Sequence, residues 1–226
     1  MKLYVDPITV NCRKVLAGFH LLDVDFELVH VDYFKSEQKD PSYLRINPNA
    51  TLPALVDGEL VLWESNAILQ YAADKVEKYQ AYPQDLRRRA DINRWLLWES
   101  SSWFPSCYVY LVENCVKPLL SQTADDAVLQ AQAANFHKLA GILDARLSES
   151  PWVCGDQPTI ADIALAAPLH LHPYQQLPLA PYPHLRRWMT EGVEKLPCWE
   201  ATYVGPGFTL TRQAPQAESM AASASL

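Results

Sequence analysis

One stretch, NPNATLPALVDGELVLWESNAILQYAAD (residues 47–74), restricts the possible folds more than any other part of the chain. Leu52-Pro53 stands just before the short apolar run Ala54-Leu55-Val56, and Asp57-Gly58 turns the chain into Leu60-Val61-Leu62-Trp63, a hairpin pattern. The second strand ends in Glu64-Ser65, and a helical pattern follows at once, with Ile68, Leu69, Ala72 and Val76 on one face. Ser65 suits an N-cap, its hydroxyl accepting from an amide of the first turn. Unpaired amides, the positive end of the helix dipole and a hydroxyl together make this helix start a place for an anion. Taken alone, Glu64 and Ser65 serve equally well as a plain helix cap.

The 226 residues suffice for one large or two small domains with real cores. A net charge of −7 argues against a nucleic-acid or anionic-membrane surface, and no apolar run approaches a membrane span. The start, Met1 to Pro7, breaks at Asp6 and Pro7 before a signal-peptide core could form, so the cytoplasm is the expected compartment. Cys12, Cys107, Cys115, Cys154 and Cys198 are odd in number and lack CxxC or zinc spacing, which suits free thiols under reducing conditions. His170 and His172 would point to different helical faces with no acidic or thiol partner nearby in sequence, so no metal is expected. Seven glycines fall in neither GxGxxG nor P-loop spacing.

Taken in order, residues 2–5 read as a strand, Asn11 to Leu22 as a helix, Asp25 to Val31 as a strand parallel to the first, and Ser42 to Ile46 as a short helix. With the hairpin and helix above, the order is β-α-β then β-β-α. Periodicity lapses from Lys78 to Pro83, which sets the expected domains at 1–78 and 85–205, followed by an Ala/Ser/Gln/Pro-rich tail at 206–226 expected to be partly disordered. The second domain reads as all helical: a long helix from Asp85 to about Cys115 with a kink at Pro105, then helices over about 125–148, from Thr159, and over about 183–195. Thr159-Ile160-Ala161-Asp162 has capping-box spacing and is expected to be structural.

The proline-led strand, the hairpin and Glu64-Ser65 opening a helix resemble the glutathione-binding half of the cytosolic glutathione transferases, in a bacterial theta/phi/nu-like form. The Thr159–Asp162 box resembles one in that family's helical domain, so the likeness spans residues 2–200. It implies a thioredoxin-like α/β domain followed by an all-α bundle, a cis bond at Pro53, and glutathione as co-substrate. Backbone beside Leu52-Pro53 would pair with the cysteinyl unit of the extended tripeptide, and Glu64 with Ser65 would hold its γ-glutamyl end. Gln38 and Lys39 match a His-Lys pair that meets the glycine carboxylate; an exposed Lys also suits a solvated surface.

Transfer needs a thiolate, and a free thiol has a pKa of about 8.5, so lowering it by two units takes about 2.7 kcal/mol. Donors at a helix N-terminus can supply this. Against the phi-like Ser-Pro-Asn and nu-like Thr-Pro-Asn patterns this chain has Thr9-Val10-Asn11, departing at Val10, so the resemblance assigns the thiol to Thr9 with Asn11 as helper. Tyr4 lies inside the first strand and suits core packing. Cys12 occupies the second position of a thioredoxin-like CxxC whose first Cys is Thr9; it reads as a small apolar residue, with a depressed pKa as the other option. Trp103, Phe104 and Cys107 are the candidate apolar acceptor pocket. Glu99-Ser100 matches a pair at the dimer interface of phi-class helices.

The resulting expectation is a homodimeric glutathione transferase acting on a small hydrophobic electrophile, without metal, nucleic acid or membrane as partner. Glutathione-dependent disulfide or peroxide reduction is one alternative, and a non-catalytic glutathione-binding module is another.

Overall fold

The computed structural model describes residues 1–203. The expected tail, 206–226, lies outside them. The first part contains β1 (Lys2–Val5), α1 (Val10–Leu22), β2 (Glu27–His30), α2 (Pro41–Leu44), β3 (Ala54–Asp57), β4 (Leu60–Trp63) and α3 (Ser65–Lys75). The sheet order is β2-β1-β3-β4, with β1 parallel to β2 and antiparallel to β3, and β4 antiparallel to β3. This is the thioredoxin-like arrangement anticipated from the element order. The β3–β4 loop has two residues, and Gly58 at its first position has φ of 61°, a conformation that favours glycine.

The second part is helical. One continuous run holds α4 (Leu86–Trp98), a π turn (Glu99–Trp103), α5 (Phe104–Leu111), a second π turn (Val112–Val116) and α6 (Lys117–Leu119). Next come α7 (Asp126–Glu149), α8 (Ile160–Ala166), α9 (His172–Gln175), α10 (Pro183–Arg187) and α11 (Pro197–Glu200). The long helix shifts its register through π turns, the first of which leads into α5, where Pro105 is the second residue. The expected helix over 183–195 is α10 followed by a π turn and a 3₁₀ turn.

α1 joins the two parts. Gly18 faces α3 so closely that a Cβ there would meet Leu69 at 2.2 Å. The opposite side of α1 meets the helical domain. Arg13, 1% exposed, donates to the carbonyls of His170 (3.3 Å) and Trp199 (3.5 Å) and lies 4.3 Å from the Trp199 ring centre. Its role is therefore interdomain anchorage through carbonyls and an aromatic face. The capping box at Thr159 forms as expected: buried Asp162 accepts from the amides of Thr159 and Val153, the Thr159 hydroxyl and the Trp188 indole. Burial raises the Asp162 carboxyl pKa, and those donors counter the rise in part.

Candidate active site

Sheet register brings three distant stretches into one row. Tyr4 pairs with Ala54, and Ala54 with Trp63. Beyond this row, at the same end of the sheet, the ladders stop and the chain runs on through Asp6 after β1, back through Leu52 before β3 and into Ser65 after β4. The Leu52–Pro53 bond is cis. The preceding loop is clamped, because the Tyr43 hydroxyl and the Asn47 amide both donate to the Thr51 carbonyl, at 2.6 and 2.8 Å. Leu52 itself is buried, and among the described residues neither its amide nor its carbonyl is hydrogen-bonded. A free donor and acceptor on an extended backbone can pair with a peptide laid alongside.

The α1 start stands beside this row. Thr9 is the N-cap, in extended backbone, and no side chain caps the helix. The first turn-closing bond runs from the Arg13 amide to the Thr9 carbonyl, leaving the amides of Val10, Asn11 and Cys12 without an intrahelical partner. The Thr9 hydroxyl donates to the Asp6 carbonyl at 3.1 Å, and that carbonyl also accepts the Thr9 amide at 3.0 Å. Rotating the hydroxyl to an anion would leave Asp6 paired and exchange a neutral acceptor for a charged one. Cys12 points into the core, and burial pushes its thiol up to about 12, with hydrogen bonding from Thr9 and the Asp6 backbone offsetting only part. A nucleophilic role for Cys12 finds no support in that environment.

At the β4–α3 junction the expected cap shifts by one residue. Glu64 is the N-cap, at φ 73° and ψ 110°, a strained conformation for a side-chain-bearing residue. Ser65 is the first helical residue, and its hydroxyl is used elsewhere: it accepts from Lys14 Nζ at 3.1 Å and donates to Asn11 Oδ1 at 3.4 Å. Glu64, Ser65, Asn11 and Phe104 line a cleft of about 520 Å³ together with Lys14, Asn66, Leu97 and Glu99. That volume lies in the range of small-molecule sites.

Thr9, Gln38, Lys39, Leu52 and Pro53 do not line that cleft. Gln38 and Lys39 occupy a 3₁₀ turn, Glu37–Lys39; Lys39 is exposed, while Gln38 is 4% exposed with its buried Oε1 unpartnered among the described residues.

Of the three residues expected in an acceptor pocket, one lines the cleft. Phe104 is partly buried, lines the cleft, and stacks on Tyr108 with ring centres 5.3 Å apart. Trp103 is instead fully buried, stacked between Trp98 and Phe136, its indole donating to the Leu165 carbonyl at 2.9 Å. Cys107 is likewise fully buried, and desolvation raises its thiol well above the ordinary range. Both belong to the core because residues four apart share one face of a helix, here the face turned inward, while Phe104 lies one step round on the face it shares with Tyr108.

Sequence reasoning passed over Lys14, Asn66, Tyr43 and Asn47. A lysine in a helix reads as surface, yet Lys14 lies four residues before Gly18 on the side facing α3, and that spacing is the only signal available. His170 and His172 part ways: the former bonds the Ala167 carbonyl at 3.0 Å and the latter meets Glu194 at 3.0 Å.

Comparison with known proteins agrees with this architecture. The sequence model of the glutathione S-transferase N-terminal domain matches residues 2–74, and that of the C-terminal domain matches residues 126–191. Glutathione S-transferase 3 of Zea mays is 32% identical over 218 residues, covering 93% of this chain and 92% of its own. The probable glutathione S-transferase GSTF2 of Oryza sativa subsp. japonica is 30% identical over 195 residues, covering 84% of this chain and 90% of its own. Among solved structures, glutathione transferase F7 from Populus trichocarpa superposes with a TM-score of 0.81 at 29% identity, over 89% of this chain and 96% of that one. A theta-class glutathione S-transferase from Xanthomonas axonopodis pv. citri, solved with glutathione bound, superposes with a TM-score of 0.78 at 27% identity, over 89% and 95% of the two chains.

Proposed function

The chain belongs to the glutathione S-transferase family and is a glutathione transferase, and from that premise we propose that it holds the glutathione thiolate at the start of α1 for attack on small apolar electrophiles. The shared end of β1, β3 and β4 carries this reading, because it places the unpaired Leu52 backbone, just before β3, near a helix start suited to sulfur and one suited to a carboxylate. The Leu52 backbone pairs with the cysteinyl unit, Glu64 and Ser65 take the γ-glutamyl end, and Gln38 with Lys39 meets the glycine end. Thr9 and the free amides of α1, assisted by Asn11, stabilise the sulfur anion. The thiol proton leaves to solvent, the thiolate forms a C–S bond at the electrophilic carbon, and the leaving group departs with the bonding pair.

Phe104 supplies apolar surface for the electrophile. Structures of this fold have been solved with lactoylglutathione and with an atrazine–glutathione conjugate, which suits a role here in the removal of reactive electrophiles. Five free cysteines suit a reducing compartment such as the cytoplasm. A second copy of the chain is the expected partner, since Leu97 on α4, which lines the cleft with Glu64, is 70% exposed, and Trp63, the residue before Glu64, is 41% exposed.

The test is conjugation of an activated aryl halide, with retention on immobilised glutathione. Glu64→Gln and Ser65→Ala should raise the glutathione KM more than they lower kcat, because they touch the unreacting end. A folded protein that neither binds nor conjugates glutathione would overturn the reading.

A further inference from the structure

We propose that Lys14 is a positioning residue of this site: its ammonium, seated on Glu99, fixes the Ser65 hydroxyl as a donor toward the carboxylate end of glutathione and, through Asn11, ties that end to the sulfur. The inference rests on the glutathione reading above.

Lys14 and Glu99 are 1% and 0% exposed. The ammonium lies 2.9 Å from both Glu99 oxygens, 3.1 Å from Ser65 Oγ and 3.3 Å from Asn66 Oδ1. An ammonium has three protons and no acceptor. With four oxygens around it, no proton is left for a ligand, so any influence passes through its partners. Ser65 Oγ can only accept from it, which turns the hydroxyl's own proton away from Lys14. The acceptor that proton meets is Asn11 Oδ1, at 3.4 Å, a long bond easily exchanged for a carboxylate. Asn66 locks the arrangement, donating to Glu99 Oε2 at 3.0 Å and to the Leu96 carbonyl at 2.8 Å.

A buried ion pair is by itself poor evidence of stabilisation, since desolvation offsets much of the attraction. Its place is the better guide. Asn11, Lys14, Ser65, Asn66 and Glu99 all line the cleft, and the π turn that breaks the long helix begins at Glu99. The positive end of the pair faces Ser65, the side an anion would occupy. When a carboxylate takes the Ser65 proton, Asn11 loses that donor and its amide is released to adjust beside Thr9. Occupancy at the head of the tripeptide is thereby communicated to the thiol.

The test is the double variant Lys14→Met/Glu99→Gln, which preserves volume and leaves no lone buried charge. Circular dichroism and the melting temperature report its fold. Kinetics are read with glutathione and with cysteinylglycine, a thiol lacking the γ-glutamyl unit. The pKa of the bound thiol is followed by thiolate ultraviolet absorbance. The expected result is a folded protein whose glutathione KM rises about tenfold or more, with a higher bound-thiol pKa and little change toward cysteinylglycine. Equal losses with both thiols would reveal a merely structural role, and unchanged constants with glutathione would also overturn the proposal. If the double variant does not fold, Lys14→Arg, which keeps the charge beside Glu99 but replaces the compact ammonium with a planar fork, is read identically, with a smaller change in the same direction expected and no change refuting it. Wild-type protein that fails to bind glutathione overturns the parent reading as well, which separates the two failures.

Discussion

At the scale of single residues, the first question is how one hydroxyl competes for a sulfur anion. Thr9 shares the Asp6 carbonyl with its own amide, so its hydroxyl can leave without orphaning an acceptor. Thr9→Ala should let the bound thiol return toward about 8.5 and cost roughly ten- to a hundredfold in rate near neutral pH, with much of the loss recovered in alkaline buffer, where the thiolate forms unaided. A pH–rate profile checks this, and an unshifted profile would remove Thr9 from the mechanism. The position of Thr9 was legible because the pattern around it is local: a strand, a turn and a helix start within a few residues. Lys14 was not legible. Whether a lysine is solvated or sealed depends on what a remote helix sets above it, here Glu99, 85 positions away.

At the scale of elements, the boundaries that strong local signals mark were readable, as with the Thr159 box and the hairpin at Gly58. The π turns were not, because one surplus residue in a helical turn leaves no compositional trace; and with aromatic and apolar residues all round that stretch, nothing marked which face would turn inward, so Trp103, Phe104 and Cys107 looked alike and proved different. The contact between α1 and the segment after α8 has its own consequence. Burial, then the Arg13 charge, pushes the His170 imidazole down to about 3. Its folded-state pKa is below the unfolded value near 6.5, so the unfolded chain binds the proton first, and stability falls as pH drops through about 6.5 toward 3. The loss from this group is about 1.4 kcal/mol per pH unit, or about 2 kcal/mol at pH 5. Urea unfolding of wild type and His170→Gln at pH 7 and pH 5 should show the variant losing less. Asp32, Asp57 and Glu113, held low mainly by hydrogen bonds from lysines, contribute their losses only further into acid. Equal losses in the two proteins would refute the assignment.

At the scale of the whole molecule, α1 is sealed on one side by α3 and on the other by the helical domain, so the two parts share one continuous core. Composition and periodicity reported two regions; the extent of their fusion depends on side chains such as Arg13 that satisfy carbonyls from the far end of the chain. Assembly is the remaining level. Sedimentation should give a dimer for wild type, and Leu97→Asp should yield a monomer with a raised glutathione KM, because desolvating the new charge at the contact costs several kcal/mol. A variant that stays dimeric would move the contact elsewhere.

The π turn at Glu99–Trp103 carries a consequence for how such a protein can change. The wider turn absorbs one surplus residue, so deleting a single residue from it would restore regular helix while leaving Phe104 and everything downstream on the faces they now occupy. The change would fall instead on Glu99, at the start of the turn, and so on the carboxylate that seats Lys14. Chain length at this one turn can therefore alter the buried ion pair without turning the rest of the helix.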